Sequence, residues 1–99
     1  MNVNDILVST WGYDQTNVDF YKVVSKTEKF VKLQQIETIE NYTPNGFMVF
    51  KAVPDESKTL EKPFSRKIAS CLGRLNVKIG HGQWAEAWDG TPVCGSSYG

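Results

Sequence analysis

One histidine and two cysteines are the residues of this chain that could carry nucleophilic or acid–base chemistry. His81 stands between two glycines, which is typical of a turn, and a pair with Cys71 or Cys94 is conceivable. A catalytic thiol also needs an activating cationic group or helix N-terminus and an oxyanion hole, and the spacing supports none of these. A metal site needs three or four ligands, and cysteine and histidine do not cluster. We therefore expect a protein that is not an enzyme and holds no metal or cofactor.

A second kind of chemistry, recognition of a partner, is suggested by "STWGYDQTNVDFYKVV" at residues 9–24. Aromatic side chains are favoured anchors of protein interfaces, and polar groups around them supply hydrogen bonds. The candidate partner-binding residues are Trp11, Tyr13, Asp14, Gln15, Asn17 and Tyr21. The alternative, and the simpler explanation, is a structural role. Gly12 would permit a tight loop, Asp14 and Asn17 would bond its backbone, and the tryptophan would close one end of the fold.

A basic stretch offers a different surface. Residues 62–80 contain five lysines and arginines and no acid, although the whole chain has 11 basic and 11 acidic residues. Barrels that bind single-stranded nucleic acid place aromatic side chains beside a basic groove. The candidate nucleic-acid-binding residues are Arg66, Lys67, Arg74, Lys78 and Trp84. The pI of about 6.6 argues against general nucleic-acid binding, because such proteins are usually clearly basic, and a solvated strand face is the simpler explanation.

Short β patterns must position these residues. Strand patterns occur at residues 5–10, 18–26, 30–39, 47–53, 64–70, 74–79 and 84–88. Tight turns separate them, and 99 residues suffice for one domain, residues 1–99. We expect an all-β fold with a small, strongly curved antiparallel sheet or an SH3-like or OB-like barrel of about six strands, because closure removes exposed edges.

Two of these strands carry apolar residues on both faces. Val18 and Phe20 point to the opposite side from Tyr21 and Val23, which predicts a central strand.

In the next strand Ile36 falls on the opposite face from Val31 and Leu33. Either a bulge restores the register or both faces are covered, and a helix over 33–40 is a further alternative.

Prolines and glycines mark the turns. Pro44 with Asn45-Gly46 is the strongest turn signal in the chain. Pro54 lacks the N–H that a ladder uses, so we expect it to end its strand. The charged segment 54–63 then becomes a loop and the best candidate for mobility.

The N-terminus lacks the basic start and apolar run of a secretory signal, and no run of about 18 apolar residues occurs. We therefore expect a cytoplasmic protein with reduced thiols and no membrane partner.

The segment "DILVSTWGYDQTNVDFYKVV" resembles the opening of a family of small, mostly uncharacterised proteins from bacteriophages and other bacterial mobile elements. A weaker resemblance lies in "RKIAS", "VKIGHGQWAEAWDGTPV" and "SSYG". The resemblance implies a non-enzymatic protein in a bacterial host cell that binds a host protein or complex. Inhibition of a nucleoprotein defence complex, as in CRISPR systems, is its most concrete form. Binding of single-stranded nucleic acid is the alternative.

Overall fold

The computed structural model describes residues 2–12, 17–42, 49–71, 74–80 and 83–96, and every regular element in these ranges is a β-strand. The strands are β1 Ile6–Trp11, β2 Asn17–Lys26, β3 Phe30–Tyr42, β4 Val49–Thr59, β5 Phe64–Cys71, β6 Arg74–Gly80, β7 Gln83–Ala87 and β8 Val93–Ser96. The prediction of an all-β fold is confirmed. None of the described segments forms a helix long and apolar enough to span a membrane.

Six of the strands close into a barrel. Antiparallel pairing runs from β2 through β1, β7, β6 and β5 to β3, and β2 pairs with β3 to complete the ring. Closure leaves these strands without a free edge, which is how a small sheet avoids pairing with other chains. The predicted small antiparallel barrel of about six strands is therefore confirmed.

The other two strands extend the sheet beyond the barrel. β3 has 13 residues; its first part pairs with β5 and its second part with β4, which in turn pairs with β8. Gly95 in β8 lies against Phe50, and a side chain at this position would collide with the phenylalanine ring. A glycine is therefore what lets β8 dock closely on β4.

The apolar residues form two cores, one on each face of β2. The core inside the barrel consists of Leu7, Tyr21, Val23, Val31, Leu33, Val77 and Ala85. The core between the barrel wall and the extension consists of Val18, Phe20, Ile36, Phe50 and Ala52. The prediction that β2 is central is confirmed. β2 pairs with β1 on one side and with β3 on the other, and a core covers each of its faces.

The two cores also resolve the register of β3. Val31 and Leu33 face the barrel interior and Ile36 faces the second core, so both faces of this strand are covered. The alternative of a helix over 33–40 is wrong, since these residues pair with β2 and β4. The bulge in the β2–β3 ladder falls instead between Val23 and Ser25.

The charged segment after Pro54 departs from the prediction. β4 continues to Thr59, and Pro54 pairs with Thr38 inside the strand, so the expected strand end and loop are wrong. β8 covers β4 only as far as Ala52. Pro54 therefore lies where β4 is an edge strand, the position at which a missing N–H is tolerated. The predicted turn at 44–46 lies outside the described residues.

Candidate functional site

A network of polar and aromatic side chains occupies one end of the barrel. Trp11 Nε1 donates a 2.6 Å hydrogen bond to Asp19 Oδ2. Gln83 Nε2 donates to the same carboxylate oxygen at 3.4 Å and to the Tyr21 hydroxyl at 3.3 Å. We call these four residues the barrel-end network. They meet because β1 ends, and β2 and β7 begin, at this end of the barrel, and β1 pairs with both other strands.

Tyr21 is the innermost member of the barrel-end network. It is 4% exposed, and its ring packs edge-on against Phe64 with the ring centroids 5.8 Å apart. Burial, with a further contribution from the Asp19 carboxylate, raises the pKa of the Tyr21 hydroxyl to about 12. The prediction that Tyr21 lies on a recognition surface is therefore wrong, because the barrel interior takes its side chain.

The rest of the N-terminal stretch supports its structural role. Gly12 directly follows β1 and has a φ of 128°, a conformation that favours glycine. Asn17 is half-buried and pairs with Trp11 across the first ladder. Trp11 remains 42% exposed although its N–H is bonded. The predicted residues Tyr13, Asp14 and Gln15 lie outside the described part of the chain.

Arg66 also belongs to the barrel end. Its guanidinium lies 4.7 Å from the centre of the Phe64 ring, and its Nε donates to the carbonyl oxygen of Ile79 at 3.4 Å. Strand alternation puts Arg66 on the same face as Phe64 and Ile68, which both pack against the barrel core. Arg66 is exposed at the barrel end and lies on the opposite face of β5 from Lys67.

On the outside of the barrel wall, two aromatic residues and two lysines form a row across four strands. Phe30 of β3 pairs with Lys67 of β5, and Lys78 of β6 pairs with Trp84 of β7. The β5–β6 register that pairs Ile68 with Val77 sets Lys67 beside Lys78 one residue further along. We call Phe30, Lys67, Lys78 and Trp84 the outer row. At 4.7–4.9 Å per strand, it spans roughly 14 Å along the surface.

The side chains of the outer row are open to solvent. Phe30 is 50% and Trp84 is 48% exposed, and both lysines are exposed. Lys78 Nζ lies 6.0 Å from the centre of the Trp84 ring, at the limit of a cation–π contact. Like charges opposite one another do not stabilise a sheet, so the neighbouring Lys67 and Lys78 add no pairing energy to the β5–β6 ladder.

The structure thus unites part of the predicted basic site. Lys67, Lys78 and Trp84 share the outer row, whereas Arg66 faces the barrel end. Arg74 begins β6, and its side chain lies outside the described part of the structure.

Sequence reasoning missed Phe30, because its neighbours are set by the pairing of β3 with β5 and the sequence shows only a strand start. It also missed Asp19 as the partner of Trp11, and Gln83 as a further donor to Asp19. One signal was readable: Asp19 is a charged residue within an apolar strand.

The described residues contain no group of three or more histidine, cysteine, aspartate or glutamate side chains placed to hold a metal ion. Cys94 is a free, exposed thiol on β8. The outer row itself consists of two aromatic rings and two lysines. Comparison with known proteins finds no matching family model, no matching curated protein and no matching solved structure. The resemblance to mobile-element proteins stays a prediction.

Proposed function

We propose that this protein is a non-enzymatic binding protein and that its ligand is single-stranded nucleic acid, held on the outer row. The observation that carries the proposal is two exposed aromatic rings flanking two neighbouring exposed lysines on the barrel wall. Proteins that bind single strands without sequence preference combine base stacking on aromatic side chains with cationic contacts to phosphates. The outer row supplies both, and an aromatic face accepts any base.

Because the net charge is zero, the electrostatic part of this binding must come from local lysines. Electrostatic affinity depends on the number of phosphates neutralised, and each contributes about 0.7 to the slope of log K against log salt for a single strand. The two lysines of the outer row would contribute roughly 1.4 to that slope. We therefore expect binding that is readily measured at low salt and governed by a small local cluster of charges.

The test measures binding of a fluorescently labelled oligothymidylate by anisotropy over a series of salt concentrations. Trp84→Ala should weaken binding about 5- to 150-fold, the equivalent of about 1–3 kcal/mol for one stacked base, with little change in salt slope. Lys67→Gln with Lys78→Gln should lower the magnitude of the slope by about 1.4.

Matched controls use residues of β4 and the residue that follows it, away from the outer row. Lys51→Gln with Lys58→Gln removes the same charge from exposed positions of β4, and Leu60→Ala truncates a side chain that is 48% exposed, like Trp84. All of these variants should keep the wild-type melting temperature, because they change surface residues. Absence of wild-type binding at low salt, or equal losses in the controls, would contradict the proposal.

A protein partner at the barrel end is the second candidate, and the 42% exposure of Trp11 favours it, because exposed tryptophans are frequent interface anchors. Inhibition of a bacterial defence complex would be its concrete form. A pull-down from bacterial lysate, run with and without nuclease, separates the candidates. A complex retained in both arms supports a protein partner, and a signal lost with nuclease supports nucleic acid.

A further inference from the structure

A carboxylate and an amide lie beside the Trp84 end of the outer row, on the same outward face of the barrel. Glu86 is two residues from Trp84 in β7, and Ala85 between them is buried in the barrel core. Strand alternation therefore puts Glu86 on the face of the tryptophan, roughly 7 Å further along the strand. Asn76 of β6 pairs directly with Glu86. We call Trp84, Glu86 and Asn76 the Trp84 subsite.

The polar groups of the Trp84 subsite can be reached from outside. Glu86 is exposed and Asn76 is half-buried. The ion pair found in the described part of the chain joins Lys22 to Glu56, so Glu86 is not paired with a cation there. Side chains directly opposite one another in an antiparallel pair have Cβ atoms about 4.5–5.5 Å apart. The amide and the carboxylate are thus close enough to contact one planar group that lies on the indole ring.

Hydrogen-bond chemistry decides which base suits this arrangement. An ionised carboxylate only accepts hydrogen bonds, and it has two oxygens to do so. Guanine is the base whose Watson–Crick edge carries two neighbouring donors, the ring N1–H and the N2 amino group. Cytosine and adenine offer one amino group beside an acceptor nitrogen, and thymine offers one N–H between two carbonyl oxygens. Two parallel bonds to one carboxylate bind more strongly and more selectively than a single bond.

We propose that the Trp84 subsite selects guanine within the bound single strand. The inference rests on the proposed function and adds a base preference to it. The guanine ring stacks on Trp84, its N1–H and N2 amino group donate to the Glu86 carboxylate, and the Asn76 amide donates to its O6. Lys78 pairs with Trp84 across the ladder and contacts the backbone phosphate. Stacking admits any base, and Glu86 then discriminates among them.

The test compares labelled oligothymidylate with the same strand carrying one central guanine, by anisotropy at one low salt concentration. A single guanine keeps the strands from associating with each other. The wild type should bind the guanine strand about 5- to 150-fold more tightly, the discrimination expected for one bidentate contact to a base. Hypoxanthine in place of guanine lacks the N2 amino group and should remove most of this preference.

Glu86→Gln tests the residue directly. The preference for guanine should be lost, because an amide offers one acceptor oxygen where the carboxylate has two. Affinity for oligothymidylate should not fall, because the substitution removes a negative charge beside the phosphate contacts. The melting temperature should equal that of the wild type, since the residue is exposed.

Glu56→Gln is the matched control, because it removes the same charge from a side chain of β4 that is 56% exposed. It breaks a surface ion pair with Lys22, which contributes little stability, and should keep the preference for guanine.

The outcomes separate the inference from the proposed function. Equal binding of the two strands by the wild type, with the dependence on Trp84 and on the lysines retained, would overturn the guanine subsite and leave the outer row intact. An unchanged preference in Glu86→Gln, or an equal loss of preference in Glu56→Gln, would also overturn it. No binding of either strand by the wild type would remove both proposals together.

Discussion

The barrel end and the outer row contain the same kinds of side chain, aromatic rings beside charged groups. They differ in whether these side chains bond to one another or face solvent. At the barrel end the donors and acceptors bond to each other: Asp19 accepts from Trp11 and from Gln83, which also donates to Tyr21. In the outer row the rings are half exposed and the two lysines lie side by side. The polar groups of the barrel-end network bond to one another, whereas the side chains of the outer row are open to solvent.

The difference follows from strand alternation and closure. Trp11, Asp19 and Tyr21 lie on the inward face of β1 and β2, where closing the barrel limits access to water and hydrogen bonds join the three side chains through Gln83; the buried Ser9 hydroxyl on the same face has no such partner in the described part of the chain. Lys78 lies on the outward face of β6, opposite to the buried Val77, and has water as its alternative. A dense polar and aromatic stretch in a sequence is therefore weak evidence for a binding site until the face of each residue is known.

The largest effect that separates the two regions is expected for Tyr21→Ala. Truncation of this buried ring removes its contact with Phe64 and leaves a cavity, which should lower the free energy of unfolding by about 3–5 kcal/mol. Urea unfolding followed by circular dichroism measures this loss. Trp84→Ala should change the stability by less than about 0.5 kcal/mol. Equal losses of stability from the two substitutions would contradict the assignment of Tyr21 to the core and of Trp84 to the surface.

Alkaline pH should destabilise the barrel end more than an ordinary surface. The pKa of Tyr21 is about 12 in the folded state and about 10 when unfolded. The unfolded state therefore loses its proton first, so this stability is fully present below pH 10 and is lost as the pH rises towards 12. The loss should approach about 2–3 kcal/mol, measured by urea unfolding at each pH. Tyr21→Phe should abolish this component, and an unchanged pH profile in that variant would contradict the assignment.

Much of the fold was readable from the sequence because local alternation determined it. The apolar positions on both faces of β2 required two cores, and the structure has them. The error at Pro54 arose because the cost of its missing N–H depends on whether a neighbouring strand needs that group, and β8 covers only the first part of β4. The short β8 itself could not be predicted from a glycine- and serine-rich tail, since its partner is distant in sequence.

The candidate site was readable only in part, for the same reason. Lys67, Lys78 and Trp84 were identified by type, but their grouping with Phe30 depends on the registers of three separate ladders. Arg66 was grouped with Lys67 because they are adjacent in sequence, and adjacent residues of a strand point to opposite faces. The pairing of strands that are distant in sequence thus determines which of these residues lie side by side, and the sequence does not show that pairing.

The smallest predicted effect is the most direct test between the two regions. Trp11→Phe keeps an aromatic ring at the barrel end and removes the N–H that Asp19 accepts, so stability should fall by about 1 kcal/mol. Oligonucleotide affinity should stay within about twofold, because the outer row is untouched. Combining the substitution with Asp19→Ala should cost less than the sum of the two single changes if the bond couples them, as urea unfolding would show. A variant that keeps its stability but loses its ligand would instead place recognition at Trp11, and the outer row would then be an ordinary solvated surface.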